Sequence, residues 1–322
     1  MKRMAALLVV VAALVAVTTA SSAGPNRSGV KNFQHVWVVM MENTGAHQLI
    51  GNPDAPWINQ AIGTYGYASN YFGVTHPSQP NYIAMTSGAT QGVTGDGDVT
   101  IDAPNIVDQL ESHGKTWRDY QQSLSLCNGD KLASSCGDQL YERKHNPFVS
   151  YLDVQTNTAR MANVVDLSQL QADLASGNVA DYNFIAPDQC HDMHGRSTAG
   201  DCFYGNVPGL IATGDAFLKD LVGTITSSPA WNGNSAIFIT WDESEYPFGD
   251  TNGCCSAVPG GGHVVTLVIS HSDHAARTSD VAYNHYSLLA TIQDGWHLGC
   301  LANTCDVADV PRMTDLVGPK KG

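Results

Sequence analysis

The sequence predicts an α/β protein with a mainly parallel central sheet and helices on both faces of that sheet. The continuous apolar run at residues 36–41 is typical of a strand that is buried on both sides, and residues 182–186 and 236–241 have a similar, largely apolar composition. Helix-type patterns separate these runs, the clearest at residues 210–225. Strands that alternate with helices along a chain favour parallel pairing. Because no repeat, linker or low-complexity block interrupts the pattern, we expect one domain over residues 24–322.

The first 23 residues have the features of a secretory signal peptide. Lys2 and Arg3 precede an apolar run at residues 5–17, and small residues follow at 21–23. The apolar run is too short for a convincing membrane span, although an uncleaved anchor is the alternative interpretation. Later stretches are not long and apolar enough to cross a bilayer. We therefore expect a secreted, soluble protein without stable membrane insertion.

The other elements follow from the same patterns, read in chain order. Apolar spacing predicts helices at residues 58–62, 104–111, 167–174, 210–225 and 284–292, and strands at 116–120 and 264–269. Residues 65–72 are expected to connect to the motif that contains Ser78. The chain from residue 127 to 147 and the Gly-rich stretch 250–262 are predicted to be loops.

The protein is acidic, with 16 basic and 30 acidic residues and a net charge of −14. Removal of Lys2 and Arg3 with the signal peptide leaves 14 basic residues against 30 acidic ones, or −16. Such a chain has no general attraction to nucleic acids or anionic membranes, so no nucleic-acid partner is expected. An anionic substrate must therefore be bound by a local site, most plausibly through a metal ion.

Eight cysteines fit an exported protein that forms disulfides. Cys127 and Cys136 are close in sequence, as are Cys300 and Cys305, so each pair can close a small loop. The pairing of the remaining four is left open by the sequence; these are Cys190, Cys202, Cys254 and Cys255. A structural zinc site is the alternative, but the usual C-x2-C and Cys/His spacings are absent.

Polar clusters follow directly after the three buried strands. Glu42-Asn43, residues 188–194 and Asp242-Glu243 should all lie at the carboxyl edge of the sheet, where ligands bind in open α/β folds. Taken singly, each cluster would more often be an ordinary turn. The side chains of Glu42, Asn43, Asp242 and Glu243 form with the Ser78 hydroxyl an all-oxygen set. Such a set favours one hard divalent cation such as Ca²⁺, Mg²⁺ or Mn²⁺.

Ser78 lies between Pro77 and Pro80 at the start of a predicted short helix that ends at Gly88. The simplest interpretation is that Ser78 only caps this helix. A helix start also offers N–H groups that suit a phosphate. A nearby metal ion would lower the pKa of the Ser78 hydroxyl, and a histidine could protonate a leaving alcohol. These conditions make Ser78 the candidate nucleophile.

Five motifs occur in an order that resembles the bacterial phosphoesterase family of secreted acid phosphatases and phospholipases C, within the alkaline phosphatase-like superfamily. The motifs are Val38-Val39-Met40-Met41-Glu42-Asn43, Thr75-His76-Pro77-Ser78-Gln79-Pro80-Asn81-Tyr82, Asp192-Met193-His194, Thr240-Trp241-Asp242-Glu243 and His285-Tyr286. The likeness is greatest to the subgroup of mycobacterial secreted acid phosphatases that act on phosphatidylinositol 3-phosphate, which Arg143-Lys144-His145-x-Pro147 also matches. The resemblance runs from about residue 35 to residue 292.

The resemblance implies a role for each matching position. Its metal ligands would be Glu42, Asn43, Asp242 and Glu243, with Ser78 as both ligand and nucleophile. Asp192 and His194 would serve acid catalysis. The substrate-binding residues would be Asn81, His145 and His285. Lys144 is a further candidate, because the basic residues 143–145 could contact a phosphate group. The alternative is a solvated loop whose basic residues pair with nearby acids.

Two departures from the family pattern qualify these roles, and one further residue bears on the type of ester. His191 could compete with His194, because the segment before Asp192 differs from the subgroup. The loop with Cys254 and Cys255 resembles an insertion near the site and puts the substrate's size in doubt. Tyr82 stands where sulfatases need an arginine, which argues against sulfate esters.

The sequence therefore predicts a secreted, metal-dependent phosphomonoesterase that forms a phosphoserine and works best at mildly acidic pH. A phosphoinositide is one candidate substrate. The alternatives are a phospholipase C-type phosphodiesterase and an exported, non-catalytic metal-binding protein of the same fold. The physiological substrate, the metal and the oligomeric state are left open by the sequence.

Overall fold

The structure is a computed structural model that describes residues 29–30, 32–177, 179–245, 249–272 and 275–317. The predicted signal peptide lies outside the described residues.

The strands form one large sheet and one small hairpin. They are β1 (Val36–Met41), β2 (Gly66–Phe72), β3 (Trp117–Gln121), β4 (Ser135–Cys136), β5 (Tyr141–Glu142), β6 (Val164–Asp166), β7 (Tyr182–Ala186), β8 (Ala236–Trp241), β9 (His263–Ser270), β10 (Arg277–Ser279) and β11 (Tyr283–Asn284). Within the described residues the main sheet has nine strands in the order β10-β2-β9-β8-β1-β7-β3-β6, with β11 also paired to β2. Strands β4 and β5 pair separately.

The centre of the sheet is parallel, as predicted. β1 lies between β8 and β7 and pairs with both in parallel, with Met41 opposite Trp241. β9 is the exception, because it pairs antiparallel with both β8 and β2. No helix is described between β8 and β9, and a parallel neighbour would need a longer crossover connection. The prediction of a mainly parallel sheet is confirmed.

Helices flank the sheet and pack in pairs, α3 against α9 and α2 against α8. The helices are α1 (Ala46–Leu49), α2 (Pro56–Ile62), α3 (Ser78–Ser87), α4 (Ile106–Ser112), α5 (Leu152–Gln155), α6 (Thr158–Met161), α7 (Gln169–Ser176), α8 (Val207–Thr226), α9 (His285–Trp296) and α10 (Thr314–Val317). Among the described residues, no helix combines the length and the apolar character that a bilayer crossing requires.

Two sequence-based expectations about these elements are wrong. Ser78 is not the N-cap of α3, because Pro77 holds that position and Ser78 is the first helical residue. The side chain of Ser78 is therefore free to point away from the helix. Residues 66–72 form strand β2 rather than an irregular approach to the motif. Gly66, Ala68 and Asn70 have low strand propensity, so the local sequence does not indicate a strand here. The segment is recognised as a strand from its pairing in the sheet, for example with β9.

All eight cysteines are paired. The pairs predicted from their spacing, Cys127–Cys136 and Cys300–Cys305, are confirmed. The pairs that the sequence left open are Cys190–Cys202 and the adjacent Cys254–Cys255. No cysteine is left to bind zinc.

Candidate active site

The site lies where β1 and β8 end side by side. Glu42 and Asn43 follow β1, and Asp242 and Glu243 follow β8. The parallel register brings the two pairs together, and the backbone N–H of Asn43 donates to Asp242 Oδ1 at 3.0 Å. Glu42, Asp242 and Glu243 are fully buried. The sheet therefore brings three buried carboxyl groups to the ends of two neighbouring strands.

Ser78 lies against this group of side chains. Its Oγ is 3.1 Å from Glu42 Oε2, 3.1 Å from Glu243 Oε1 and 3.5 Å from Asn43 Oδ1. Ser78 is only 1% exposed, so its hydroxyl is directed inward rather than to solvent. Helix α3 delivers the serine, and the two strand ends supply the oxygens around it. These predicted residues are thus brought together, although their chemical roles stay predictions.

Tyr82 and His76 support the two glutamates, and the sequence analysis gave neither of them a role in the site. Tyr82 lies one helical turn after Ser78, and its hydroxyl donates to Glu42 Oε1 at 2.6 Å. The His76 ring contacts Glu243 Oε2 through Nδ1, and its Nε2 lies 3.0 Å from the Asp250 carbonyl oxygen. The helical spacing of Tyr82 from Ser78 is the signal that could have identified it.

Burial dominates the electrostatics of the carboxyl groups. It raises the pKa of Glu42 to about 7, although the Lys144 charge and the Tyr82 hydrogen bond act to lower it. The pKa of Asp242 is raised well above its usual value by burial and then by the charges of Glu42 and Glu243. Burial likewise raises the pKa of Glu243. A cation or bound protons must therefore balance the charge of this cluster.

Asp192 and His145 lie on the other side of Glu42. His145 Nε2 is 3.1 Å from Glu42 Oε1 but is not aligned for a hydrogen bond, and its Nδ1 is 3.8 Å from Asp192 Oδ2. The His145 ring stacks on Tyr82 with centroids 5.3 Å apart. Burial lowers the pKa of His145 well below its usual value and raises that of Asp192. His145 is therefore a buried neutral ring that packs behind the site.

His194 is positioned by the loop after β7. Its backbone N–H donates to Asp192 Oδ1 at 2.8 Å, and its Nδ1 lies 2.6 Å from the Gly195 carbonyl oxygen. The contact with a carbonyl requires the proton on Nδ1, so Nε2 is the nitrogen open to another partner. Burial lowers the pKa of His194. His194 and Asn43 line a common cavity.

Lys144 and Asp96 connect a surface loop to the start of α3. The Lys144 ammonium donates to Asp96 Oδ2 at 2.9 Å, and the Gln79 N–H donates to Asp96 Oδ1 at 3.0 Å. Burial acts to lower the pKa of Lys144, but the charges of Glu42 and Asp96 outweigh it, so the pKa is raised. Lys144 thus stays charged beside the carboxyl group of Glu42. The sequence analysis missed Asp96 because it lies in a loop with no motif.

Asn81 and His285 are engaged by groups other than Ser78. Both Nδ2 donors of Asn81 are engaged, at 2.8 Å from the Thr75 carbonyl and 3.2 Å from the Pro77 carbonyl. His285 Nε2 lies 2.6 Å from the Asp242 carbonyl, and its Nδ1 lies 3.1 Å from the Tyr71 hydroxyl. Burial lowers the pKa of His285 to about 4. These contacts fit structural roles, so the predicted substrate contacts of both residues lack geometric support.

The predicted competition between His191 and His194 also lacks support. His191 Nδ1 pairs with Asp188 Oδ1 at 2.6 Å, and its ring packs against Phe217 of α8. By contrast, the loop with Cys254 and Cys255 does lie near the site. Its Asp250 carbonyl contacts His76, and the Gly261 N–H donates to the Gly73 carbonyl at 2.9 Å.

The oxygen atoms around Ser78 do not form a closed coordination shell. In the part of the chain that the structure describes, no three His, Cys, Asp or Glu side chains converge as a metal-binding group. Asp242 Oδ2 is nevertheless buried without a hydrogen-bond partner among the described residues. This oxygen is open to a further ligand at the centre of the cluster.

Curated relatives of the chain are phosphatases by name. A phosphatidylinositol-3-phosphatase of Mycobacterium tuberculosis is 28% identical over 321 residues, which cover 98% of this chain and 94% of the relative. A probable acid phosphatase of Kluyveromyces lactis is 26% identical over 280 residues, but the match spans 83% of this chain and 60% of that protein. An acid phosphatase of Aspergillus fumigatus is 24% identical, and the match spans 94% of this chain and 67% of that protein.

Solved structures share the fold at low sequence identity. A Vibrio parahaemolyticus protein of the alkaline phosphatase superfamily aligns with a TM-score of 0.53 and 14% identity, over 85% of this chain and 68% of that protein. A phosphonate monoester hydrolase of Silicibacter pomeroyi aligns with a TM-score of 0.56 and 11% identity, over 90% of this chain and 78% of that protein. The predicted alkaline phosphatase-like fold is confirmed.

A protein-family model matches most of the chain. The Phosphoesterase family model matches residues 52–299, a range that contains Ser78, Asp242 and Glu243 and begins after Glu42 and Asn43. The predicted resemblance is therefore confirmed. The chain belongs to the Phosphoesterase family, and its class of activity is the hydrolysis of phosphate esters.

Proposed function

We propose that the protein is a secreted, metal-dependent phosphomonoesterase whose nucleophile is Ser78. The observation that carries this proposal is the position of the Ser78 hydroxyl, which lies within 3.5 Å of oxygens from Glu42, Asn43 and Glu243. A buried serine in this setting has two carboxylates ready to accept its proton. Family membership supports the same chemistry.

In the proposed reaction the Ser78 oxygen attacks phosphorus and the bond to the leaving alcohol breaks. Glu42 or Glu243 takes the serine proton, and Tyr82 and His76 hold these two carboxylates in position. The product of this step is a phosphoserine. Water then attacks phosphorus, which releases phosphate and restores the Ser78 hydroxyl.

The residues present fit a hard divalent cation. Glu42, Asn43, Asp242 and Glu243, with Ser78, would hold it, because they offer oxygen ligands and Asp242 Oδ2 lacks a partner among the described residues. When bound, such an ion neutralises the negative charge of the phosphate and lowers the pKa of the serine hydroxyl. Lys144 adds a second positive charge beside Glu42.

His194 is the proposed proton donor to the leaving alcohol. Its Nδ1–H faces the Gly195 carbonyl, which leaves Nε2 for the proton to be donated. Because burial lowers the pKa of His194 below its ordinary 6.5, the protonated form increases as the pH falls. An acidic optimum for kcat follows, and a pH–rate profile that peaks well above neutrality would contradict this role.

Export and a phosphoinositide substrate belong to the same proposal. Four disulfides favour an oxidising compartment, and the first residues have the composition of a signal peptide. The Mycobacterium tuberculosis relative is a phosphatidylinositol-3-phosphatase by name, which supports phosphoinositides as substrates to be tested.

Replacement of the nucleophile tests the mechanism directly. Ser78→Ala should lose at least about 1,000-fold in kcat on an aryl phosphate, because no other hydroxyl can form the ester intermediate. Ser87→Ala is a matched control, since Ser87 is buried at the opposite end of α3. Its hydroxyl contacts backbone carbonyls, Gln91 and Tyr151 rather than the residues around Ser78. Near-normal turnover by folded Ser78→Ala protein would overturn the proposal.

A comparison of monoesters with diesters separates the two proposed kinds of phosphoesterase. The enzyme should prefer an aryl phosphate dianion to a phosphocholine diester, because the cation and Lys144 both favour the greater negative charge. A preference for the diester would favour the phospholipase C alternative instead.

A further inference from the structure

We propose that the loop 250–262, closed at its tip by the disulfide between Cys254 and Cys255, positions Glu243 against Ser78 through His76. Loss of this disulfide therefore lowers kcat without weakening substrate binding. The inference rests on the phosphatase function proposed above and adds a part of the fold that sets its rate. It concerns a segment to which none of the sequence motifs gives a role.

The start of the loop contacts the site directly. The Asp250 carbonyl oxygen lies 3.0 Å from His76 Nε2, and His76 Nδ1 contacts Glu243 Oε2. The other oxygen of Glu243, Oε1, accepts from the Ser78 hydroxyl at 3.1 Å. His76 thus connects a backbone oxygen of the loop to the carboxylate that faces the proposed nucleophile.

The end of the loop bridges two segments that adjoin the proposed catalytic residues. The Gly261 N–H donates to the Gly73 carbonyl at 2.9 Å, and the Gly261 carbonyl accepts from the Ser244 N–H at 2.8 Å. A Cβ on Gly261 would lie 2.5 Å from the Thr75 carbonyl oxygen, so the backbones are in close contact here. A shift of the loop would therefore displace both segments.

The two arms of the loop are joined to each other below its tip. The Gly260 N–H donates to the Thr251 carbonyl at 3.0 Å. The Gly262 N–H donates to the Asn252 carbonyl at 3.0 Å. Asp250 Oδ1 accepts from the Asn252 N–H at 2.6 Å, which ties the start of the loop to the same arm. A change in the tip therefore alters the position of both arms.

The disulfide restrains a tip whose backbone conformation is unfavourable for ordinary residues. Cys255 and Ser256 have φ values of 59° and 67°, in the left-handed region that residues other than glycine disfavour. The disulfide closes Cys254 and Cys255 into a small ring that contains the peptide bond between them. Asn284 Nδ2 donates to the carbonyls of both cysteines, at 3.0 and 3.1 Å. Without the disulfide this conformation loses its covalent restraint, and the tip should relax.

Replacement of both cysteines by alanine tests the proposal. In enzyme saturated with a divalent ion, Cys254→Ala/Cys255→Ala should lower kcat on an aryl phosphate about tenfold. This is the lower end of the effect of losing a group that orients a site residue. KM should stay within about twofold, because Lys144 is untouched. Thermal unfolding checks that the variant is folded at the assay temperature.

Variants of His76 show whether the effect passes through this side chain. His76→Ala should lower kcat about 10- to 100-fold. His76→Asn keeps an amide donor for Glu243 but is too short to reach Asp250 as well, so its kcat should be intermediate. Removal of the disulfide from the His76→Asn enzyme should then cost less than about twofold, because the link to the loop is already broken. Equal losses in the wild-type and His76→Asn backgrounds would overturn the inference.

Cys300→Ala/Cys305→Ala is the matched control, because it removes another disulfide between cysteines that are close in sequence. This disulfide lies at the end of α3 that is opposite Ser78, where the Asn303 N–H donates to the Gly88 carbonyl at 3.0 Å. Its loss should leave kcat and KM unchanged, even if the melting temperature falls.

The possible outcomes separate this inference from the function itself. If the alanine pair does not fold, Cys254→Ser/Cys255→Ser, which is closer in size, takes its place. In either case an unchanged kcat in His76→Ala would overturn the link to Glu243. Unchanged kcat in the folded cysteine variant would also overturn the inference and leave the phosphatase proposal intact. A wild-type enzyme that hydrolysed no phosphate monoester would contradict both.

Discussion

Glu42 is the residue at which the contacts of the site meet. One of its oxygens accepts from Ser78, and the other accepts from Tyr82 and lies near His145. These partners, together with the charge of Lys144, allow a carboxyl group to be fully buried. A change at Glu42 would therefore disturb the nucleophile and the packing behind it at once.

Asp119 is a second buried carboxyl group, and it lies in β3 outside the site. Its Oδ1 accepts from Gln121 at 2.8 Å, while its Oδ2 is buried without a partner among the described residues. Burial raises the pKa of Asp119 to about 8, although Gln121 and Lys131 act to lower it. Because the pKa is raised on folding, this group's contribution to stability is complete below about pH 3.8 and is lost as the pH rises through 8.

We therefore expect Asp119→Asn to be less sensitive to alkaline pH than the wild type. Between pH 5 and pH 9 the free energy of unfolding should fall less for Asp119→Asn than for the wild type. The two decreases should differ by an amount on the order of a few kcal/mol. Denaturant unfolding at the two pH values measures the difference. Asp102→Asn makes the same change at an exposed position and should show no such effect. Equal pH dependence of Asp119→Asn and the wild type would contradict the expectation.

The sequence was informative about residues that follow strands directly. Glu42, Asn43, Asp242 and Glu243 could be placed together because the ends of parallel strands meet at one edge. The orientation of a side chain could not be predicted in this way. Asn81 and His285 turn toward backbone carbonyls, and only the packed structure determines which partner each side chain reaches.

At the scale of elements, the start of α3 depends on a loop that is distant from it in sequence. Asp96 accepts from the second residue of α3 and from Lys144, and Gln79 Oε1 accepts from the Gly97 N–H at 2.9 Å. A carboxylate at a helix start interacts favourably with the helix dipole. The loop therefore holds the start of the helix that carries the proposed nucleophile Ser78, and it holds Lys144 as well.

Asp96→Asn should weaken this connection. We expect a loss of about 1 kcal/mol in stability, typical of a helix-start contact, because the amide cannot replace both bonds. Lys144 would be held less firmly, so KM for an aryl phosphate should rise about two- to fivefold, the range for a partly exposed ion pair. kcat should change less. Thermal unfolding and steady-state kinetics measure the two effects.

Asp98→Asn provides the comparison within the same loop. Asp98 contacts Ser134 and lies 3.6 Å from Arg143, so its loss should leave KM unchanged. An Asp96→Asn enzyme with unaltered or lower KM would show that Asp96 does not position Lys144 for substrate.

Element types were more predictable than the partners of each strand. The apolar runs predicted β1, β7 and β8 with their observed bounds. The antiparallel direction of β9 was not predicted, because it depends on the loop that connects β8 to β9 rather than on the residues of β9 itself. Strand β2 was missed for a related reason, since its pairing compensates for its weak local propensity.

For the whole molecule, the carboxyl cluster links separate parts of the chain. Glu42 extends from β1, Asp242 and Glu243 from β8, and Ser78 from α3. Burial disfavours the charged form of these carboxyl groups, and it is the first cause of the raised pKa values of Glu42, Asp242 and Glu243. For Asp242 and Glu243 the charge of Glu42 raises the pKa further. A bound cation should therefore stabilise the entire fold and not only the site.

We expect chelation of divalent ions to lower the melting temperature, and Ca²⁺, Mg²⁺ or Mn²⁺ to restore it. An ion present at 100 times its Kd adds about 2.7 kcal/mol to the free energy of unfolding. Asp242→Asn removes one charge from the carboxyl cluster. It should reduce the difference in melting temperature between the chelated and the ion-saturated protein. Identical melting temperatures with and without ions would contradict a resident cation.

The distance along the chain between the site's partners affects when the site can form. Ser78 contacts a glutamate 165 positions later, and Asn43 contacts an aspartate 199 positions later. Such non-local contacts form late in folding and slow it. During synthesis Ser78 emerges after Glu42 but well before Glu243, so a growing chain carries the proposed nucleophile with only one of its two glutamate partners. Chemical competence therefore arises only when the last third of the protein has joined the sheet.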